Sequence, residues 1–133
     1  MREDYQRRAR ALVGTRFRPQ GRAAATGVDC VGLVLLAYGI DPNEVRRNYR
    51  LRGDHQAEAK RELARFFCPV KGRPPQAGEL LVLAVSAEHI HFGIRTDRGL
   101  VHADARLGRV VETPGAPPWP VLGTFRKRCR AAG

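Results

Sequence analysis

Aromatic residues supply only 7% of this 133-residue chain, so aliphatic side chains must do most of the packing. Cysteine is sparse as well: Cys30, Cys68 and Cys129 are odd in number, widely spaced and without a CxxC pair. That argues against a disulfide framework and fits synthesis in a reducing compartment. Long apolar runs are missing. The longest, Val31 to Ala37, is far too short to cross a bilayer, so no membrane span is expected. The charged start Met1-Arg2-Glu3-Asp4 leads into no apolar stretch of the secretory kind, and the expectation is a protein made in the cytoplasm without a signal peptide. Internal repeats and low-complexity tracts are absent too.

Acidic residues are the last shortage. Against 24 Lys and Arg stand 13 Asp and Glu, a formal net charge of +11. Nearly all of the excess is arginine, spread along the chain. Such a field attracts polyanions (nucleic acid, anionic envelope polymers or the acidic face of a partner), and it also serves plain solubility. No helix-turn-helix, zinc-finger or aromatic-interleaved basic signature accompanies it, so sequence-specific nucleic-acid binding is not expected. The 43% of hydrophobic residues can close one core, which predicts a single domain over residues 1–133.

Residues 2–13 are predicted to form a helix: Tyr5, Ala9, Leu12 and Val13 recur at helical spacing, acids occupy the first turn and Gly14 stops it. A loop follows from Thr15 to Val28. Cys30 to Tyr38 is apolar nearly all round, as a core helix is, and Gly39 ends it. Its brevity leaves a strand open, though leucine, alanine and the following glycine favour helix. Asn43 to Arg52 reads as irregular. Asp54 can cap a helix running to Phe67, with Leu63, Ala64, Phe66 and Phe67 inward and Pro69 as its terminator. Beyond Gly78 the texture turns to strands: 79–85, 89–95, 99–103, 109–113 and an edge strand at 121–127, joined by tight turns and a Pro-rich loop at 114–120. Helices first and strands afterwards predict an α+β domain with an antiparallel sheet.

A cysteine nucleophile needs a stabilised thiolate, a base within reach and donors for the developing oxyanion. Cys30 stands where a loop turns into the apolar helix, and a helix N-terminus favours a thiolate. Gly32 keeps the near side open. His91 lies in His89-Ile90-His91-Phe92-Gly93-Ile94, where alternation puts His89, His91 and Gly93 on one face and the apolar residues on the other. His102 follows on the returning strand, so one imidazole can take the thiol proton while the other fixes its tautomer. Each residue alone is ordinary: a free cysteine is usually a small buried hydrophobe, and polar-face histidines are common. The conjunction is what points to catalysis.

Asp29-Cys30-Val31-Gly32-Leu33-Val34, Pro75-Gln76-Ala77-Gly78-Glu79-Leu80-Leu81, His91-Phe92-Gly93-Ile94 and Val101-His102-Ala103 together resemble the ordered motifs of the NlpC/P60 cysteine peptidases, which read roughly D-C-S-G-L-V, P-G-D-L, H-V-G-I and H-A. The resemblance covers Gly14 to about Thr113. It implies a papain-like fold with the nucleophile helix packed on an antiparallel sheet, and cleavage of peptidoglycan stem peptides, usually beside γ-D-glutamyl. It casts Cys30 as nucleophile, His91 as general base and His102 as the orienting third member.

Three departures stand out. Val31 replaces the family's serine, which often helps hold the substrate's amino end, leaving Asp29 to pair with an ammonium. Phe17 stands where a tyrosine able to donate to the oxyanion is common, and Gln20 is a side-chain amide that can substitute for it. Gly78-Glu79 replaces Gly-Asp. Asp29, Gln20 and Phe17 are therefore the candidate substrate-binding residues. His89 shares a face with His91 but lacks its H-x-G-I context, while His55 reads as surface and Cys68 and Cys129 as structural. Asp104 reads as a turn aspartate, with a supporting acceptor for His102 as the alternative. Cys30, His91 and His102 lack the close ligand pair of a structural zinc site, so neither metal nor cofactor is expected.

The stretch from Gly14 to Arg22 and the Asp-Cys-Val-Gly-Leu core resemble the phage tail-associated members of the family. That resemblance implies a virion protein made in the host cytoplasm, carried among tail-tip proteins and acting on wall stem peptides during entry. A catalytically reduced structural tail-tip protein and a thioester-based acyl or peptidyl transferase are the alternative readings.

Overall fold

The apolar run after Asp29 becomes the central helix of the fold. The computed structural model describes residues 2–45, 56–87 and 89–128. Its helices are α1 (Arg2–Ala11), α2 (Cys30–Tyr38) and α3 (Gln56–Phe66), with a 3-10 turn at Pro42–Glu44. Its strands are β1 (Arg22–Ala23), β2 (Gly27–Val28), β3 (Phe67–Val70), β4 (Leu80–Ser86), β5 (His89–Arg95), β6 (Gly99–Asp104), β7 (Arg109–Pro114) and β8 (Val121–Lys127). This is a small α+β domain.

Both ends of α2 are set by local chemistry. The Asp29 carboxylate accepts a hydrogen bond from the Gly32 amide at 2.9 Å, an N-cap contribution of about 1 kcal/mol. Gly39 closes the other end in the left-handed region, φ +68°, where glycine is unstrained. Between the caps, Leu33, Val34, Leu35, Ala37 and Tyr38 are all buried, so the helix is held by packing on every side.

The main sheet runs β3-β8-β4-β5-β6-β7, each pair antiparallel. β4 to β7 form the expected meander, and β8 returns to the far side of β4. Alternation sorts the side chains. Leu80, Val82, Ile90, Phe92, Ile94, Val101 and Ala103 join the core that holds α2, while Leu81, Leu83 and Leu100 form a second small cluster capped by Trp119. The middle of β4 is therefore buried on both faces.

Several expectations change. The strand at 121–127 is not an edge: β8 is paired on both sides, between β3 and β4. Residues 15–28 are not a plain loop: β1 pairs with β2, Arg16 bridges Arg109 and Phe17 bridges Val28. The first helix stops at Ala11, and Val13 is 43% exposed rather than part of the core. The third helix ends at Phe66, leaving Ala64 exposed. Phe67 opens β3 instead, buried with its ring edge-on to Tyr38 at 5.0 Å, and Pro69 sits within that edge strand, where a missing N–H is tolerated. Asp54, His55 and Cys129 lie outside the described residues.

Candidate active site

Cys30 opens α2 and is 6% exposed. Three main-chain N–H groups, of Phe92, Cys30 and Val31, are directed at its sulfur and favour the thiolate, but burial and the Asp29 carboxylate outweigh them and push the thiol up to about 12. The helix N-terminus thus acts as expected without winning.

The Phe92 N–H belongs to β5, whose ladder with β6 pairs Ile94 with Val101 and Arg95 with Leu100. His91 and His102 both lie beyond those paired positions. Their side chains still meet: His91 Nε2 and His102 Nδ1 are 3.3 Å apart, with the rings perpendicular at 88°. His102 Nε2 lies 3.0 Å from Thr113 Oγ1. A consistent proton assignment follows, with His91 Nε2–H donating to His102 Nδ1 and His102 Nε2–H donating to Thr113. The Nδ1 of His91 is then left unprotonated, as a base requires. Burial, with His102 and His89 adding to it, lowers His91 to about 4. Burial lowers His102 against an opposing pull from Asp104. The resting pair is therefore neutral thiol and neutral imidazole.

Cys30, His91 and His102 line one cleft of about 470 Å³, together with Phe17, Gln20, Asp29, His89 and Trp119. All six sequence-predicted site residues thus come together in it. Phe17 is half-buried, packs on the main core and is pinned by its N–H to Gly108 O at 2.9 Å. Gln20 occupies the third position of the Arg18–Gly21 turn at φ +57°, after Pro19, a conformation that favours glycine or asparagine. Its N–H donates to the second Asp29 oxygen at 2.9 Å. Both oxygens of Asp29 therefore hold main chain, locking the turn onto the start of α2. Asp104, expected in a turn, is instead the last residue of β6, paired with Arg109, and its carboxylate accepts from the Arg106 and Leu107 amides of the following turn at 2.8 and 3.0 Å. Among the described residues, no three His, Cys, Asp or Glu side chains are grouped to hold a metal.

Two residues join the site that sequence reasoning passed over. Thr113 was within reach: β6–β7 pairing sets His102 opposite Val111, which makes Thr113 its diagonal neighbour on the same face. Trp119 was not, because it lies in the irregular stretch 115–120. Its ring packs edge-on against both imidazoles, with centroids 5.5 Å from His91 and 5.3 Å from His102.

Fold and cleft together define an α+β domain with a cysteine at a helix start and two histidines on an antiparallel sheet. The architecture is that of the NlpC/P60 proteins. NlpC1 from Trichomonas vaginalis superposes with a TM-score of 0.67 at 16% identity, over 95% of this chain and 45% of its own. An NlpC/P60 family protein from Bacillus cereus superposes with a TM-score of 0.66 at 18% identity, over 95% of this chain and 40% of its own. The chain thus spans less than half the length of either, and at these identities the likeness is one of fold. No protein-family model and no curated protein matches the sequence.

Proposed function

We propose that this protein is a cysteine peptidase that cleaves an amide in peptidoglycan stem peptides. The observation that carries the reading is the Cys30 thiol opening into the same cleft as the His91–His102–Thr113 chain of imidazole and hydroxyl contacts. The chemistry follows from the atoms. With Nε2 of His91 engaged by His102, Nδ1 is the nitrogen left to take the thiol proton. Because the pair rests neutral, that transfer accompanies sulfur attack on the substrate carbonyl. The carbon–sulfur bond forms, the carbonyl electrons move to oxygen, and the donors we assign to stabilise it are the Cys30 main-chain N–H and the Gln20 side-chain amide, which lines the cleft. His91 then passes the proton to the leaving amine as the carbon–nitrogen bond breaks. Water releases the thioester with His91 again as base.

The setting we propose is a phage tail tip, where the enzyme would open the wall locally during entry; the Gly14–Arg22 stretch and the Asp-Cys-Val-Gly-Leu core support it. Digestion of purified peptidoglycan by wild type and Cys30→Ala, read by mass spectrometry, tests the activity. Cys30-dependent fragments are expected. None from any wall chemotype would overturn it. Phe17 and Val31, in place of the family's hydroxyl groups, favour a second reading, a catalytically reduced structural tail protein, and the burial that pushes the Cys30 thiol up accords with it. On that reading Cys30→Ala particles assemble and infect through intact wall as wild type does.

A further inference from the structure

A second concavity, of about 550 Å³, adjoins the candidate active site and shares the Pro19–Gln20 turn as a common wall. Its lining differs in chemistry from the cleft. It includes Arg18, Gln20, Gly21, Arg22, Thr26 and Asn43, with no carboxylate among the described residues that line it. Arg22 is 6% exposed, and its guanidinium donates to the carbonyls of Pro42 and Val45, tying this wall to the turn beyond α2. Arg18 is different. It is exposed, and its guanidinium has no hydrogen-bond or ion-pair partner among the described residues. One cation built into the wall and one free at its mouth, beside a hydroxyl and two side-chain amides, form a site for a planar anion.

Asp41 stands at the Asn43 end of this pocket, its carboxylate accepting from the Asn43 N–H at 2.9 Å, and Asp29 lines the cleft side of the shared wall. Both oxygens of Asp29 hold main chain. A ligand crossing from the cleft therefore passes Asp29 first and meets the arginines beyond Gln20. We propose that the pocket is a subsite for a carboxylate on the substrate segment that crosses the Gln20 wall, with Arg18 closing on it. The inference rests on the cleft being the peptidase site proposed above and adds a charge preference to it. The selectivity expected from Asp29 alone, for an ammonium, is replaced at this end by selectivity for an anion.

The test uses paired stem-type peptides that differ only in a free carboxylate or a carboxamide on that segment. Wild type is expected to turn over the carboxylate form about tenfold or more better in kcat/KM. Arg18→Ala should bring the two substrates together, and Arg18→Glu should invert the order. Arg126→Ala, which removes the same charge from an exposed position on β8, should keep the wild-type preference. Equal losses on both substrates for Arg18→Ala, or loss of preference in Arg126→Ala, would overturn the subsite. The same peptides titrated into Cys30→Ala by NMR keep it testable without turnover. The carboxylate form should shift the Arg18 Nε and Thr26 resonances and the carboxamide should not. No shift overturns the subsite whatever the enzyme does, whereas a shift without turnover in wild type overturns only the peptidase reading. A glycerol-phosphate oligomer shifting the same resonances more strongly than the peptide would overturn the carboxylate in favour of a phosphate polymer.

Discussion

His91 Nε2 lies 3.3 Å from His102 Nδ1, and this contact decides which nitrogen of His91 can serve Cys30. His102→Ala should leave the tautomer of His91 unspecified and lower kcat about 10²- to 10⁴-fold, with a smaller change in KM. Steady-state kinetics on a stem peptide check it. A drop confined to KM would remove His102 from the relay.

Thr113 holds the far side of that relay through His102 Nε2 at 3.0 Å. Thr113→Val keeps the shape but strands a buried N–H, which costs about 1–3 kcal/mol. Roughly tenfold slower turnover is expected, with recovery in Thr113→Ser. Equal loss in valine and serine variants would mean that packing, rather than the hydroxyl, is what matters.

Burial sets the pH behaviour of the native state. His91 falls to about 4 in the folded protein, below its ordinary value near 6.5. Between those values the unfolded chain binds the proton and the native one does not. Stability is therefore full above about pH 6.5 and declines as pH falls to about 4, by about 3 kcal/mol from this group. Denaturant titrations of wild type and His91→Asn across that window should show a shallower acid decline in the variant. Parallel curves would contradict the assignment.

The thiol moves the other way, up to about 12. Thiolate at pH 7 is then about one part in 10⁵. Alkylation of Cys30 by iodoacetamide should climb about tenfold per unit between about pH 6 and pH 9, with no ultraviolet thiolate signal at neutrality relative to Cys30→Ala. A flat neutral plateau would instead reveal a preformed thiolate–imidazolium pair.

The residues show why part of this site could be read in advance. The positions of Cys30, His91 and His102 follow from signals within a few residues: Asp29 and Gly39 bracket an apolar run, and alternation in β5 and β6 sets the faces. Position 67 depends on a distant partner. Phe67–Val70 pairs with β8, about sixty residues later in the chain, so nothing local separates a helix end from a strand with proline in it. Trp119 is harder still, because an irregular stretch has no period from which to infer a side chain's direction. Asp29 was visible as a candidate, but its commitment to the Gln20 and Gly32 amides is a property of the folded turn.

Gly32 links that turn to the nucleophile and does not leave the open side expected of it, because the Gly21 carbonyl fills that space. A Cβ added there would stand 2.0 Å from the Gly21 carbonyl oxygen and 3.2 Å from the Val28 side chain. The first contact is main chain, and Gly21 is in turn held by its N–H to Arg18 O at 2.8 Å, so neither side can yield by a rotamer change. Gly32→Ala should therefore force α2 away from the Arg18–Gly21 turn, at roughly 3 kcal/mol or more. The displacement separates Asp29 from the Gln20 amide and moves Cys30 relative to both, so the folded fraction should also lose turnover. Val31→Ser, one residue earlier and half-buried at the same helix start, avoids that contact and should retain fold and activity. Thermal melts with kinetics on the residual folded protein read both effects. A Gly32→Ala protein as stable and as active as wild type would mean that the close approach of helix and turn does not set the catalytic geometry.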